Sequence, residues 1–307
     1  MQTINGYRMV QNFSAANAGF CKWGFAEKDG QAYFVKEFLS PKYPLDSHSL
    51  SPQAMARKKQ ECLDFYKARN ALYDAIRSCD TGNVVVIRDF FRQGSRYYAV
   101  TEKVDALGYT AAQIREFSTE KKLVLLRALL YSFSRLHSNG VVHGDIKPEN
   151  ILLKKTTAGY VTGKIIDFDS GFLQEAVPED IQGDQVFLAP EVRLHMSDPA
   201  AKVTTKADVF SLGLLFHLYW TGKLPELPEG YAYAFEAVLD DAPLELDSGI
   251  PNLLRSLIGR MLRKDPADRP SAGQVLSCLD GAVRKAEPHG DSGEGKKHGF
   301  YAPDELE

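Results

Sequence analysis

Strand-forming and helix-forming segments are segregated along the 307-residue chain, and this order favours an α+β fold. Near the start, Ala32–Phe38 is rich in β-forming residues. Further on, Val84–Phe91 and Arg96–Val104 flank a turn at Gln93-Gly94-Ser95. All three stretches predict strands, so the first third of the chain is expected to contain a sheet.

Helices account for most of the remaining pattern. Ser51 fits an N-cap with Pro52 in the first turn, which predicts a long helix that ends near Cys79. The segment Asp208–Thr221 is apolar nearly all round, which predicts a buried helix. Two more helices are predicted, one capped by Ser118 or Thr119 and ending before Gly140, the other over Leu253–Leu262.

Composition and charge argue against several classes of function. Hydrophobic residues make up 44% of the chain and charged residues 25%, as in globular proteins with a buried core. The net charge of −3 gives no footprint for nucleic acid, and no apolar run is long enough to span a bilayer. Four scattered cysteines without a Cys-x-x-Cys pair, and an N-terminus without a secretory signal, favour the reducing cytoplasm. We therefore predict a cytoplasmic protein with no nucleic-acid or membrane partner. The polar, glycine-rich stretch over residues 286–307 is predicted to be a flexible tail.

Chemically active side chains are concentrated in the octapeptide His143–Asn150. Asp145 offers a carboxylate, Lys147 an amine and Asn150 an amide oxygen. Asp167 supplies another carboxylate directly after an apolar pair. An isolated aspartate in either place fits a turn or the end of a strand, so the whole set carries the functional prediction.

These segments and several others resemble the motifs of the eukaryotic-like serine/threonine protein kinase family, in the order that the family has them. The octapeptide is similar to the family's catalytic loop, and Asp167-Phe168-Asp169 is similar to its Asp-Phe-Gly metal motif. The likeness extends over roughly residues 7–285. It includes segments that resemble the end of the activation segment, the start of the central helix and the pattern before the last helix: Ala189-Pro190-Glu191, Asp208–Gly213, Asp265-Pro266 and Arg269-Pro270.

The resemblance implies a bilobal, protein-kinase-like fold of the α+β class. A small β-rich N-lobe with one long helix is expected over residues 1–104, and a larger, mainly α-helical C-lobe over residues 105–285. Two structural contacts are implied as well. Glu191 and Arg269 are expected to form a buried ion pair, and Asp208 is expected to brace the catalytic loop.

The implied activity is transfer of the γ-phosphate of ATP to serine or threonine hydroxyls of a protein substrate, with Mg²⁺ as the metal. Such a transfer depends mainly on positioning and charge neutralisation. By resemblance, Asp145 is the base that accepts the hydroxyl proton, and Lys147 reaches the transferring phosphoryl group. Asn150 and Asp167 hold Mg²⁺. A lysine two residues after the catalytic aspartate accompanies Ser/Thr specificity in the family. The absence of a visible sensor domain leaves room for a separate regulatory partner protein.

The resemblance also assigns the ATP-binding residues. Lys36 matches the lysine that neutralises the α- and β-phosphates, with Glu61 as its ion-pair partner and Asp64 as a rival to Glu61. The other contacts are a phosphate-loop glycine, a gatekeeper, two hinge residues and a residue beneath the adenine ring: Gly19, Thr101, Glu102, Val104 and Leu152.

The nucleotide- and metal-binding motifs depart from the family pattern in three places. The phosphate loop Asn12–Gly19 contains one glycine, where the family has three. Phe34 stands where the family usually has a small alanine against the adenine, so it is expected to crowd the pocket or shift the nucleotide. Asp169 replaces the glycine that follows Asp-Phe, which is expected to stiffen that turn.

The catalytic loop and the activation segment depart from the pattern too. Gly144 replaces the arginine that normally meets a phosphate on the activation segment, and Gly171–Pro190 contain no Ser, Thr or Tyr. We therefore predict an activity that does not depend on phosphorylation of this segment. Asp184 replaces a threonine that braces the catalytic residues. Its carboxylate either pairs with Lys147 or repels Asp145.

Two other functions remain open. His143-Gly144-Asp145 and Ile166–Asp169 also resemble motifs of aminoglycoside and choline kinases, which phosphorylate small molecules. Lys147–Asn150 and the later motifs belong to protein kinases instead. A nucleotide-binding pseudokinase scaffold would explain the poor phosphate loop and Phe34, but a binding-only module does not need a catalytic base.

Overall fold

The computed structural model describes residues 2–15, 21–45, 50–156 and 159–286. These residues form two compact units. The first contains the chain up to Ser78 together with Val85–Asp105, and the second contains Cys79–Val84 and the chain from Ala106 onward. Strands dominate the first unit and helices the second, so the predicted α+β class is confirmed. The predicted tail lies almost wholly outside the described residues.

The first unit contains a six-stranded antiparallel sheet. Its strands are β1 Thr3–Ile4, β2 Tyr7–Met9, β3 Cys21–Lys28, β4 Gln31–Phe38, β5 Ile87–Gln93 and β6 Arg96–Glu102. They are ordered β1-β2-β3-β4-β6-β5 across the sheet. The strand predicted over residues 32–38 is confirmed as β4, and β6 ends two residues before its predicted end.

The turn between β1 and β2 joins the two ends of this sheet. Asn5 takes a left-handed conformation there, with φ of 46°, which asparagine tolerates better than most residues. Its backbone N–H donates to Gln93 Oε1 at 2.9 Å, and its side-chain amide donates to Asp89 Oδ2 at 3.2 Å. Both acceptors lie on β5, at the far end of the strand order, so the sheet curls around an apolar core: Ile4, Tyr7, Met9, Ala26, Val35, Tyr98 and Val100.

The long predicted helix is present as α1, Pro52–Ser78. Ser51 caps it as expected, because its Oγ accepts the backbone N–H of Ala54 at 3.2 Å. Phe65 anchors the helix to the sheet through three edge-on ring contacts, with centroid distances of 5.3 to 6.1 Å to Phe38, Phe90 and Tyr97.

One predicted strand start is wrong. The strand predicted over Val84–Phe91 begins at Ile87. Val84 instead forms an isolated parallel bridge with Ile165, and the Asn83 carbonyl accepts the Ile165 N–H at 2.8 Å. Asn83 and Val84 therefore pair with β9 of the second unit, and the strand of the first unit begins only at Ile87.

The second unit is mainly helical. Its helices are α2 Ala111–Arg115, α3 Thr119–Ser138, α4 Pro190–His195, α5 Lys206–Thr221, α6 Ala234–Leu239, α7 Asn252–Met261 and α8 Ala272–Ala286. Its short strands are β7 Val141–Val142, β8 Ile151–Lys155, β9 Val161–Ile165 and β10 Phe172–Leu173, which pair as β7 with β10 and β8 with β9. Of the helices in the described part of the chain, none has the length and apolarity needed to cross a membrane.

The predicted buried helix is α5, which is buried along almost its whole length. Gly213 allows it to approach α7 closely, because a Cβ at this position would lie 2.9 Å from the Leu262 side chain and 3.2 Å from that of Met261. The alternatives for the cap of α3 resolve to Ser118, whose Oγ accepts the Lys121 N–H at 3.3 Å.

Candidate active site

Asp208 on α5 anchors the predicted catalytic loop, which follows β7. Its Oδ2 accepts the backbone N–H of His143 at 2.8 Å, and its Oδ1 accepts that of Gly144 at 3.0 Å. The Nε2 of His137 lies 3.0 Å from the same Oδ2. The predicted role of Asp208 as a brace is therefore confirmed, and the loop is attached to the most buried helix of the unit.

The Asp145 carboxylate is held at both of its oxygens. Oδ1 accepts the backbone N–H of Asp184 at 3.1 Å, and Oδ2 accepts the side-chain amide of Asn150 at 2.9 Å. The ammonium group of Lys147 also lies 2.9 Å from Oδ2. The structure thus brings together three of the predicted residues. An oriented carboxylate of this kind suits a base whose lone pair must face a substrate proton.

Asn150 directs its amide hydrogens at Asp145. Its Nδ2 donates to the Asp145 backbone carbonyl at 2.7 Å as well as to the carboxylate. A short 3₁₀ turn over Pro148–Asn150 folds the loop back to make these bonds, and it is closed by the Asn150 N–H and the Lys147 carbonyl at 3.1 Å. The amide oxygen of Asn150 is consequently turned away from Asp145, where it suits a hard cation that prefers oxygen ligands.

Lys147 lies between two carboxylates. Its Nζ is 3.8 Å from Asp184 Oδ2, in addition to its contact with Asp145, so the predicted pairing with Asp184 is confirmed. Partial burial lowers the pKa of Lys147, but the hydrogen bond to Asp145 and the charges of Asp145, Asp184 and Glu149 outweigh it and raise that pKa above its ordinary value. The group is therefore a permanent cation at neutral pH.

His143 connects the catalytic loop to the residue that precedes Asp167. The backbone N–H of Asp145 donates to Nδ1 at 3.3 Å, so Nδ1 carries no proton. Nε2, which lies 2.9 Å from the Ile166 carbonyl, must then carry it. The buried ring also lies against Phe168, with a centroid distance of 4.7 Å. The His143 ring thus links the backbone at Asp145 to the predicted metal motif.

Asp167, one of the two predicted metal ligands, takes a constrained backbone conformation. Its φ of 64° is rare for a residue other than glycine, and such conformations cluster at functional sites. The Ile166 N–H donates to the Asn150 carbonyl at 3.0 Å, so the two predicted metal ligands lie on segments that are directly bonded. Mg²⁺ commonly binds through one or two carboxylates together with substrate phosphates, and this pair supplies suitable oxygen donors. The neighbouring Asp169 has no positive φ, so it replaces glycine without backbone strain.

Gly144 lies where there is no room for a side chain. Its φ is +76°, and a Cβ would lie 2.7 Å from the Ser170 carbonyl oxygen. A Cβ on Gly183 would in turn lie 2.9 Å from the Gly144 carbonyl oxygen. The backbone just before the predicted activation segment, at Ser170, and within it, at Gly183, therefore packs directly on the predicted catalytic loop, and the arginine of the family pattern does not fit this conformation.

The predicted ATP lysine and gatekeeper share one face of the sheet in the first unit. Phe34 and Lys36 alternate on β4, and Thr101 on β6 is the cross-strand partner of Phe34. The Thr101 hydroxyl donates to the Glu102 carbonyl at 3.2 Å, so the two residues are linked at the end of β6. Val104 follows the strand and is half-buried, like Glu102.

Phe34 belongs to an aromatic cluster on the face that also carries Lys36. The ring centroids of Trp23 and Phe25 on β3 each lie 5.7 Å from that of Phe34, with interplanar angles of 26° and 62°. The Lys103 ammonium lies 5.4 Å from the Phe25 ring centroid. Phe34 is therefore packed against two other aromatic side chains on this face of β3 and β4, as the expected crowding requires. The position of a nucleotide against these rings stays a prediction.

For the remaining predicted ATP-binding residues in the described part of the chain, the structure gives a location but no contact that bears on the predicted role. Glu61 is exposed on α1, and its ion pair with Lys36 stays a prediction. Leu152 is half-buried on β8, opposite Lys164 of β9. Gly19 lies outside the described residues.

Sequence reasoning missed two contributions to the site. The first is the hydrogen bond that the Asp184 backbone N–H donates to the Asp145 carboxylate. The two residues are 39 positions apart, and no local sequence pattern predicts such a bond. Trp23 and Phe25 were missed although a signal existed, because aromatic residues at alternate positions of a strand share one face.

Comparisons with known proteins give a consistent picture. A family model described as a protein kinase domain matches residues 54–278. The serine/threonine-protein kinase pkn2 of Myxococcus xanthus is 31% identical over 214 residues, which is 66% of this chain and 25% of the relative. Calcium-dependent protein kinase 6 of Oryza sativa subsp. japonica is 29% identical over 269 residues, which is 83% of this chain and 48% of the relative. The chain thus spans between a quarter and about half of the length of these two relatives.

Proposed function

The chain belongs to the protein kinase domain family, and we propose that it transfers the γ-phosphate of ATP to serine and threonine hydroxyls of protein substrates. The observation that carries this proposal is the Asp145 carboxylate, oriented by Asp184 and Asn150 and flanked by Lys147. In this proposal the two compact units are the small and large lobes of a kinase, with boundaries near residues 104 and 285.

The reaction needs one proton acceptor and several fixed charges. The acceptor hydroxyl oxygen forms a bond to the γ-phosphorus while the bond to the β–γ bridging oxygen breaks, so ADP leaves. Asp145 accepts the hydroxyl proton, and Lys147 neutralises charge on the transferring group. Asn150 and Asp167 would hold Mg²⁺, which when bound neutralises charge on the phosphates.

The nucleotide is assigned to residues that the family resemblance picks out. Lys36 neutralises the α- and β-phosphates, with Glu61 as its ion-pair partner. The backbone groups of Glu102 and Val104 bond the edge of the adenine. Thr101, Leu152 and Gly19 complete the predicted set as gatekeeper, base of the adenine site and phosphate-loop glycine.

The two rival functions differ from this proposal in product. A small-molecule phosphotransferase would leave proteins unmodified, and the match to the protein kinase domain over residues 54–278 does not favour it. A pseudokinase would bind nucleotide without turnover, and it would not need a carboxylate held as Asp145 is. A regulatory partner protein and a cytoplasmic location stay predictions from the sequence.

The test is mass spectrometry of the protein after incubation with Mg-ATP, alone and with a basic acceptor protein. We expect phosphoserine and phosphothreonine on one or both proteins, and no transfer when EDTA removes the metal. Phosphate on neither protein would refute the proposal. Nucleotide binding without turnover would then indicate a pseudokinase, and ATP consumption with an aminoglycoside or choline would indicate a small-molecule kinase.

The proposed activity does not depend on phosphate in the activation segment. Gly171–Pro190 offer no hydroxyl to phosphorylate. Gly144 replaces the arginine that would receive such a phosphate, and its contact with the Ser170 carbonyl leaves no space for that side chain. Direct backbone packing and the bond from Asp184 to Asp145 supply an alternative way to order the segment.

Protein treated with a phosphatase is expected to phosphorylate its substrate at the full initial rate, because Gly171–Pro190 contain no residue whose phosphorylation could activate it. The measurement compares initial rates of treated protein and of protein preincubated with Mg-ATP, and we expect them to agree within about twofold. A lag that preincubation removes, together with stoichiometric phosphate on Ser170, would contradict the prediction.

A further inference from the structure

Asp184 is fixed by its own turn. Its Oδ1 accepts the backbone N–H of Val186 at 2.9 Å, and its carbonyl accepts that of Phe187 at 3.1 Å. The backbone N–H of Asp184 is thereby aimed at Asp145 Oδ1, 3.1 Å away. The remaining carboxylate oxygen, Oδ2, faces the Lys147 ammonium at 3.8 Å.

We propose that Asp184 is a positioning residue for phosphoryl transfer, which holds the Asp145 carboxylate through its backbone and the Lys147 ammonium through its charge. The proposal rests on the function proposed above, because it assigns a role within the same site. The family pattern has a threonine at this position. Here Asp184 would position the same two residues through its backbone N–H and its negative charge.

The negative charge of Asp184 matters for the position of Lys147, because the ammonium lies near two carboxylates, those of Asp145 and Asp184. With Asp145 as its nearest and only close anionic partner, the ammonium on Oδ2 would be held from one side alone, and its position toward the transferring group would be less closely fixed. The Coulomb energy of two charges falls only with the first power of the distance between them. A carboxylate at 3.8 Å therefore still competes with one at 2.9 Å, and it holds Lys147 between them.

An asparagine at position 184 separates the two contributions. Asp184→Asn keeps the backbone N–H for Asp145 and an Oδ1 that can accept from Val186, so the turn is retained. It removes the charge that faces Lys147. If Asp184 served the turn alone, this variant would behave like the wild type.

The experiment measures kcat and KM for Mg-ATP and for a basic acceptor protein with four variants. Asp184→Asn is expected to lower kcat about tenfold, a common size for coupling between residues in contact, with both KM values and the melting temperature little changed. In a Lys147→Ala background the same substitution should have no further effect, because Asp184 acts through Lys147. Asp180→Asn is the matched control, since it removes an exposed charge of the same segment and should leave kcat unchanged.

The outcomes separate this inference from the function on which it rests. A wild type that phosphorylates nothing would refute the proposed function itself. An active wild type with an unchanged kcat for Asp184→Asn, or with fully additive effects of the two substitutions, would refute the positioning role. A rise in the KM for the acceptor with constant kcat would also refute it, because the charge would then contact the substrate and not Lys147.

Discussion

Asp145→Asn is expected to slow phosphoryl transfer by about 10²–10⁴-fold, the usual contribution of a general base. The substitution preserves the shape of the side chain and an Oδ1 that can still accept the Asp184 N–H. It removes the lone pair of a charged oxygen that would take the hydroxyl proton. Lys147 loses its nearer carboxylate but retains Asp184 at 3.8 Å. The effect should therefore fall mainly on kcat. The new amide nitrogen would face two donors, the Asn150 amide and the Lys147 ammonium, so the melting temperature is measured beside kcat to detect any loss of stability.

Glu149→Gln is the matched control for this loss of charge. Glu149 is exposed and lies within the same loop, and its charge helps to raise the pKa of Lys147. It has no assigned contact with the substrate, so a change of at most a few-fold in kcat is expected. Equal losses in both variants would mean that net charge matters and not the base. More than a tenth of wild-type activity in Asp145→Asn would remove Asp145 from that role.

The central part of the site was predictable because its contacts are local. Asp145, Lys147 and Asn150 are brought together by one 3₁₀ turn within a single octapeptide. The spacing of residue types in such a loop determines which side chains can meet. The buried helix α5 was predictable for a similar reason, since its apolar character all round leaves few alternatives to a central position.

Contacts between distant segments were not predictable in the same way. The bond from Asn5 to Asp89 closes the curled sheet across 84 residues, and the bond from Asp184 to Asp145 spans 39. Each depends on where several elements pack, which no local pattern encodes. The error at Val84 has the same origin, because that residue is β-forming but pairs with Ile165, 81 residues further along the chain. The β-propensity of Val84 predicts a strand at this position, but the tertiary packing determines which segment it pairs with.

The buried ion pair predicted between Glu191 and Arg269 is confirmed, and its geometry is unusually complete. Two guanidinium nitrogens donate to the two Glu191 carboxylate oxygens at 2.7 and 2.8 Å. The other three N–H groups donate to backbone carbonyls, those of Arg263 at 2.7 Å, Lys206 at 2.9 Å and Lys264 at 3.0 Å. All five donors of the arginine are thus satisfied, and its side chain is 0% exposed against 7% for Glu191.

Arg269→Leu is therefore expected to destabilise the protein by about 3–5 kcal/mol, because it leaves Glu191 as an uncompensated buried charge. The measurement is chemical denaturation of the wild type and the variant. Lys264→Ala, five residues before Arg269, removes an exposed ion pair with Asp241, and it should cost no more than about 1 kcal/mol. The double variant Glu191→Leu/Arg269→Leu isolates the cause, since it also removes the buried charge. If charge burial dominates, the double variant is more stable than Arg269→Leu alone. If it is less stable by the full cost of the second substitution, the three carbonyl contacts and packing dominate, and the predicted origin of the destabilisation is wrong.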